Sequence, residues 1–382
     1  MDVPAPLVRG AALLRCPVCS APLELHERSL VCDQRHTYDI SRHGHVTLAR
    51  APAPGDDAAM VAARAAVFDA GHYAPLTAAL ARAATSAASD GDAATATDDE
   101  TLEGGAAAGG DAAGGGEAAR GDAATATGDE AQAGEAAAAG DVPQPGEATA
   151  SRDEARSGQA GAGDDAARPD EATASGDAAR PGQAAAGGAA AGPGAASVVL
   201  DIGAGTGHHL AGVLEARPGA LGIALDTSRP ALRLAARAHP DIAAVVGDVW
   251  EALPLQDGVV DLALVVFAPR NGGEIARVLR PGGTALVVIP TPEHLAELAH
   301  LHAVQVDPEK PERLERTLGA HLQHTGTEAV RWTMQLSQQD VEHVIRMSPA
   351  GAHRGEAEAH AATVTGSVEL RTYRSPDVGG GG

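Results

Sequence analysis

Three cysteines and one histidine near the start of the chain have the spacing of metal ligands. Cys16 and Cys19 are separated by two residues, Cys32 follows after twelve more, and His36 lies beyond a further three. Two ligand-bearing turns joined by a small hairpin can set three thiolates and an imidazole tetrahedrally around zinc, and a closed four-ligand site is structural. Leu23-Glu24-Leu25 and Ser29-Leu30-Val31 supply the hairpin strands. His26 and His43 are the alternatives to His36. All three cysteines fall within the first 32 residues, which argues against a disulfide framework.

A second constellation is Asp201-Ile202-Gly203-Ala204-Gly205-Thr206-Gly207. It follows the apolar run Val198-Val199-Leu200 and precedes a helix expected from near His209. Strand, glycine turn and helix let a backbone without Cβ atoms approach a ligand closely. Asp226 stands nineteen residues after Gly207, at the end of a second apolar run, where an acid can accept both hydroxyls of a ribose. Asp248 ends a third run, 243–246, and is placed for the exocyclic amine of an adenine.

The surrounding elements repeat this rhythm. A helix is expected over 228–238, and a fully buried strand over Val259–Phe267 ends in Ala268-Pro269-Arg270-Asn271. Glu274–Leu279 reads as a helix stopped by Arg280-Pro281-Gly282-Gly283, and Thr284–Ile289 as a strand. Thr291-Pro292-Glu293-His294 should cap a helix through about His302. Strands near 330–336 and 363–373 flank a helix at 338–346. The order is that of an α/β doubly wound sheet with a terminal antiparallel pair. Earlier, Asp56 or Asp57 can cap a helix that runs to about Asp69 and is ended by Gly71, with Tyr73 on the turn before a second helix near Pro75. On the residues alone, Tyr73 is either a core aromatic or a lid over a ligand.

Charge divides the chain. The formal net charge is -23, but residues 85–195 hold 21 Asp and Glu against 5 Arg, which leaves only about -7 elsewhere. The overall acidity therefore does not exclude a nucleic-acid partner. That middle stretch is almost all Ala, Gly, Asp, Glu, Thr, Ser and Pro, and Gly-Asp-Ala-Ala-Thr-Ala-Thr recurs at 91–97 and 121–127. It lacks the apolar surface to offset its ordering entropy and reads as a disordered insertion. The expected organisation is a zinc module at 1–48, linking helices at 49–84, the insertion at 85–196, a core at 197–375 and a disordered tail at 376–382. No apolar run is long enough to span a bilayer, so a cytoplasmic protein without membrane contact is expected. Arg28, Arg35, Arg42, His43 and His45 lie in or just after the zinc module. Its surface therefore either meets phosphate or merely packs on the core.

These residues resemble the bacterial 23S rRNA (guanine-N1)-methyltransferases that modify hairpin 35, some of which confer macrolide resistance. The resemblance rests on the Cys16, Cys19, Cys32, His36 set, on Pro54-Gly55-Asp56 and on Asp69-Ala70-Gly71-His72-Tyr73-x-Pro75-Leu76. The glycine motif, Leu225-Asp226-x-Ser228, Phe267-Ala268-Pro269, Arg277-Val278-x-x-Pro281-Gly282-Gly283 and Pro292-x-His294-Leu295 complete it. It implies a Rossmann-like fold that uses S-adenosylmethionine (SAM), a zinc ribbon that helps recognise 23S rRNA, and a homodimer. It also implies cofactor contacts by Tyr73, Gly205, Thr206 and His294, beside those expected of Asp201, Gly203, Gly207, Asp226 and Asp248. The motif reads Gly-Ala-Gly-Thr-Gly where Gly-Cys-Gly-Glu-Gly is common in the family, and His208 and His209 stand where aromatics are usual. Phe267 or Trp250 could stack on a flipped guanine, and Arg270 and Asn271 could bond its edge or a phosphate. The competing readings are a small-molecule SAM methyltransferase and a non-catalytic RNA-binding protein.

Overall fold

Apolar runs too continuous for a one-sided sheet build the centre of the molecule. In a computed structural model, which describes residues 3–51, 53–96, 196–301, 316–348 and 359–376, β5 (Val198–Ile202), β6 (Leu221–Asp226), β7 (Ile242–Val246) and β8 (Val260–Val266) are almost wholly buried. They pair in parallel with one another and with β9 (Leu279–Pro290). Such strands need cover on both faces. β11 (Ala362–Arg374) then pairs antiparallel with β9, and β10 (Gln323–Leu336) antiparallel with β11. The eight-stranded order is β10-β11-β9-β8-β5-β6-β7-β4, a doubly wound sheet with the expected antiparallel pair.

The last member, β4 (His45–Thr47), comes from the N-terminal module and lies parallel to β7. The rest of that module is a three-stranded sheet of β1 (Glu24–His26), β2 (Ser29–Val31) and β3 (Thr37–Asp39). One face of the large sheet is covered by α2 (Ala58–Asp69), α3 (Ala74–Ala96), α4 (His208–Glu215), α5 (Arg229–Ala238) and α7 (Gln338–Arg346). The other is covered by α1 (Ala5–Gly10), α6 (Gly272–Val278) and the module itself, with Cys16, Leu30 and Cys32 in one core with Val245, Leu253 and Leu255.

The helix starts follow from caps. Asp57 accepts from the amides of Ala59 and Met60 at α2, Ser228 accepts from Ala231 at α5, and Ser337 with Asp340 forms a capping box at α7. Four expectations change. Residues 296–301 form a 3-10 helix rather than an α-helix begun at Thr291, because the chain first turns to hydrogen-bond Ser367 of β11. The segment Arg280–Gly283 continues β9 instead of standing outside it, and β10 begins at Gln323 rather than near residue 330. The helix α3 continues past residue 85 to Ala96. Residues 97–195 and 377–382, and with them most of the expected insertion and tail, lie outside the described residues.

Candidate active site and metal centre

Cys16, Cys19, Cys32 and His36 meet, with all four ligand atoms within 4.8 Å of one another. The Cys19 and Cys32 sulfurs are 3.7 Å apart, and His36 Nδ1 lies 3.5 Å from Cys16 Sγ and 3.4 Å from Cys32 Sγ. A tetrahedron with Zn–S of about 2.3 Å and Zn–N of about 2.0–2.1 Å has S···S edges of about 3.8 Å and S···N edges of about 3.6 Å. The donor set therefore fits zinc in kind and in size. The Tyr38 hydroxyl is 3.0 Å from Cys16 Sγ, a placement that suits a thiolate ligand needing a hydrogen-bond donor. His26 lies instead beside Glu24. Arg28 and His45 are structural: Arg28 donates to the carbonyls of Ile40 and Ser41, and buried His45 bonds the Ser41 hydroxyl at 3.1 Å.

The glycine turn sits at the carboxyl edge of the sheet. Gly203, Gly205 and Gly207 have φ of +72°, +54° and +77°. At Gly203 a Cβ would also fall 2.5 Å from that of Ala268. Asp226 ties the turn together, since its carboxylate accepts from Gly205 N at 2.9 Å and from Ser228 N at 2.7 Å. Asp201, at the end of β5, is buried. Burial and then the neighbouring Asp226 push its carboxyl up to about 8. Burial likewise raises Asp226, against its two backbone hydrogen bonds. Thr206 is buried within the turn. Asp248 follows β7 at the adjacent strand end, next to Gly247, whose amide donates to the Asp226 carbonyl.

The linking segment folds over this edge. Thr227 Oγ1 donates to the Pro54 carbonyl and Ser228 Oγ to that of Asp56, at 3.0 and 2.7 Å. This places α2 so that Arg64 faces the turn, with Nη1 3.5 Å from the position a Gly205 Cβ would take. Arg64 is paired with Asp56 and donates to the Met347 carbonyl. Tyr73 is buried, and its hydroxyl lies 3.4 Å from His294 Nε2. His294 Nδ1 accepts from Ser367 N at 3.1 Å, which leaves the proton on Nε2, pointed at the tyrosine oxygen. Trp332 packs on Tyr73 with centroids 5.7 Å apart, and its Nε1 donates to the His72 carbonyl at 2.8 Å. Phe267, just past β8, stacks on His294 at 5.5 Å and 29°. It is 41% exposed at φ +55°, a strained backbone for a bulky residue of the kind that gathers at functional sites.

Four of the chain's seven Phe, Trp and Tyr residues, namely Phe68, Tyr73, Phe267 and Trp332, thus join one ring network with His208, His209 and His294. Trp250 stays apart from it and is 67% exposed. Asn271 is taken up as the cap of α6. Asp257 and Asp261 are held by arginines, Asp257 by Arg15 and Arg277, Asp261 by Arg280. Arg64 and Trp332 are the residues that sequence reasoning missed. Arg64 is the one charged side chain between Ala58 and Phe68, and Trp332 lies opposite Gly366, whose bare backbone its ring covers.

The sheet order, the left-handed glycine turn and the cysteine–histidine cluster define a SAM-dependent methyltransferase carrying a zinc ribbon. A family model described as a methyltransferase domain matches residues 199–283, and the zinc-ribbon model described as RlmA, N-terminal, matches residues 14–51. The chain is 36% identical over 348 residues to the 23S rRNA (guanine(748)-N(1))-methyltransferase of Streptomyces fradiae, covering 90% of this chain and 88% of that protein. It is 36% identical over 379 residues to a putative 23S rRNA (guanine-N(1)-)-methyltransferase of Micromonospora griseorubida, covering 94% and 97%. The chain belongs to the family of 23S rRNA (guanine-N1)-methyltransferases.

Proposed function

We propose that this protein methylates N1 of a guanine in 23S rRNA, with SAM as donor and a structural zinc held by Cys16, Cys19, Cys32 and His36. The observation that supports this reading most is a similarity to the two actinobacterial relatives that runs through both the ribbon and the core. When bound, SAM supplies a methyl group on a sulfonium, open to in-line displacement by the guanine nitrogen. The residues fit such a ligand: the glycine turn leaves room for it, Asp226 would accept ribose hydroxyls, and Asp248 at the next strand end would accept from the adenine amine. Asp201 and Asp226 would balance the sulfonium and ammonium charges, and Arg64 would receive the carboxylate. Tyr73, fixed by His294, and the turn residues Gly203, Gly205, Thr206 and Gly207 would line the methionine end. Phe267 would carry the flipped guanine, since it is exposed and belongs to the ring network around Tyr73, which Trp250 does not join. The enzyme acts in the cytoplasm, as a homodimer whose cleft takes the RNA hairpin.

Incubation with methyl-labelled SAM and unmodified 23S rRNA, followed by mass mapping, tests the reaction. N1-methylguanine in hairpin 35 is expected. A small-molecule acceptor with no labelled RNA would overturn it. Asp226→Ala should weaken SAM binding by roughly 1–3 kcal/mol in calorimetry, and unchanged affinity would remove Asp226 from the site.

A further inference from the structure

One face of α5 carries Arg229, Arg233 and Arg237, all exposed, while Ala231, Leu232 and Ala235 are buried on the other. Like charges four apart weaken a helix, so this stripe is not explained by folding. The turn of the zinc module that bears Arg42 and His43 lies against the same helix, where a Gly44 Cβ would stand 3.5 Å from Ala236 Cβ. Several other arginines are paired with carboxylates: Arg9 with Asp241, Arg64 with Asp56, Arg277 with Glu274 and Arg280 with Asp261. Among the described residues Arg42, Arg229, Arg233 and Arg237 form no ion pair. The charged groups acting on His43 are Arg233, Arg42 and Arg237, and they add to desolvation in lowering its pKa. An acidic chain has thus left a cationic ridge uncompensated across the seam between module and core.

We propose that Arg42, Arg229, Arg233 and Arg237 form a track for the phosphate backbone of the RNA substrate. The inference rests on the rRNA reading above and adds the surface on which the strand lies. Successive arginines of α5 rise by about 6 Å, which is close to the step between neighbouring phosphates on one strand. The stripe starts three residues after Asp226 and leads away from the cofactor edge for about 12 Å. Its contacts are to phosphates rather than bases, so they set register and carry no sequence preference.

The test is RNA binding as a function of salt, with a 23S rRNA fragment containing hairpin 35, for the full-length protein and for Arg233→Gln/Arg237→Gln. Each lost phosphate contact lowers the slope of log K against log salt by about 0.7–0.9, so the double variant should lose about 1.5. Affinity should fall at low salt, with SAM affinity unchanged and melting temperature unchanged or slightly raised by the lost repulsion along α5. Arg42→Gln alone should lower the slope by about 0.8 from the module side. Wild-type slope and affinity in both variants would overturn the track. A wild-type protein that binds this RNA but methylates no guanine would overturn the function and leave the track standing. One that binds no RNA would overturn both.

Discussion

At the scale of single residues, Asp201 makes the sharpest forecast. With its carboxyl pushed up to about 8 by burial and by Asp226, the ligand-free protein holds it protonated at neutral pH. A cofactor bearing sulfonium and ammonium charges favours the carboxylate. SAM binding near pH 7 should therefore release a proton, and affinity should rise as pH climbs towards 8. Calorimetry in buffers of different ionisation heat measures this, and a null proton count would remove Asp201 from the cofactor's surroundings. Stability of the ligand-free protein runs the other way. A raised acid stabilises the fold fully below the ordinary carboxylate range, and the contribution is lost as pH rises through about 8. Arg64 gives a second forecast. Arg64→Met should weaken SAM by roughly tenfold or more, the worth of a charge-assisted hydrogen bond. It should leave methylthioadenosine, which lacks the carboxylate, almost unaffected. Equal losses for both ligands would mean that Arg64 only braces the turn through Asp56.

Among the elements, the zinc ribbon and the sheet share one core, since Cys16 and Cys32 pack with Val245 and Leu253. Metal analysis should find one zinc per chain and none in Cys32→Ala. The variant should melt in a single transition lowered by roughly 5–10 °C, as loss of a few kcal/mol implies. A separate low-temperature transition for the module would contradict the shared core. The strands β5 to β8 and the turn glycines were legible because apolar runs and φ-permissive residues leave a local mark. The short β4 was not, because His45-Val46-Thr47 becomes a strand only by pairing with β7. The same holds for the ring network. Trp332 lies 259 positions beyond Tyr73, and only the sheet brings β10 under the turn. The resemblance pointed to Tyr73 and His294 as cofactor contacts, but their hydrogen bond to each other has no signature in spacing. Arg64 escaped notice because one arginine on an alanine-rich helix reads as a solvated face.

At the scale of the whole molecule, charge is the dominant feature. Most of the -16 carried by residues 85–195 lies beyond α3, so a chain lacking 97–195 keeps every element described. Its melting temperature and SAM affinity should match those of the full chain. At low salt it should bind rRNA more tightly, and the gain should shrink once the Debye length falls to about 8 Å. Weaker RNA binding on deletion would give the segment a recruiting role. The site itself is assembled from both sides of this segment, with Arg64 and Tyr73 before it and the glycine turn, Phe267 and His294 after it. The protein is in effect two half-enzymes on one string. Expressed as separate polypeptides, residues 1–96 and 196–382 should dock through the β4–β7 and α3–α4 contacts and regain SAM binding only when mixed. Each half alone would then be a silent fragment whose cofactor site exists only in the pair; SAM binding by either half alone would rule this out.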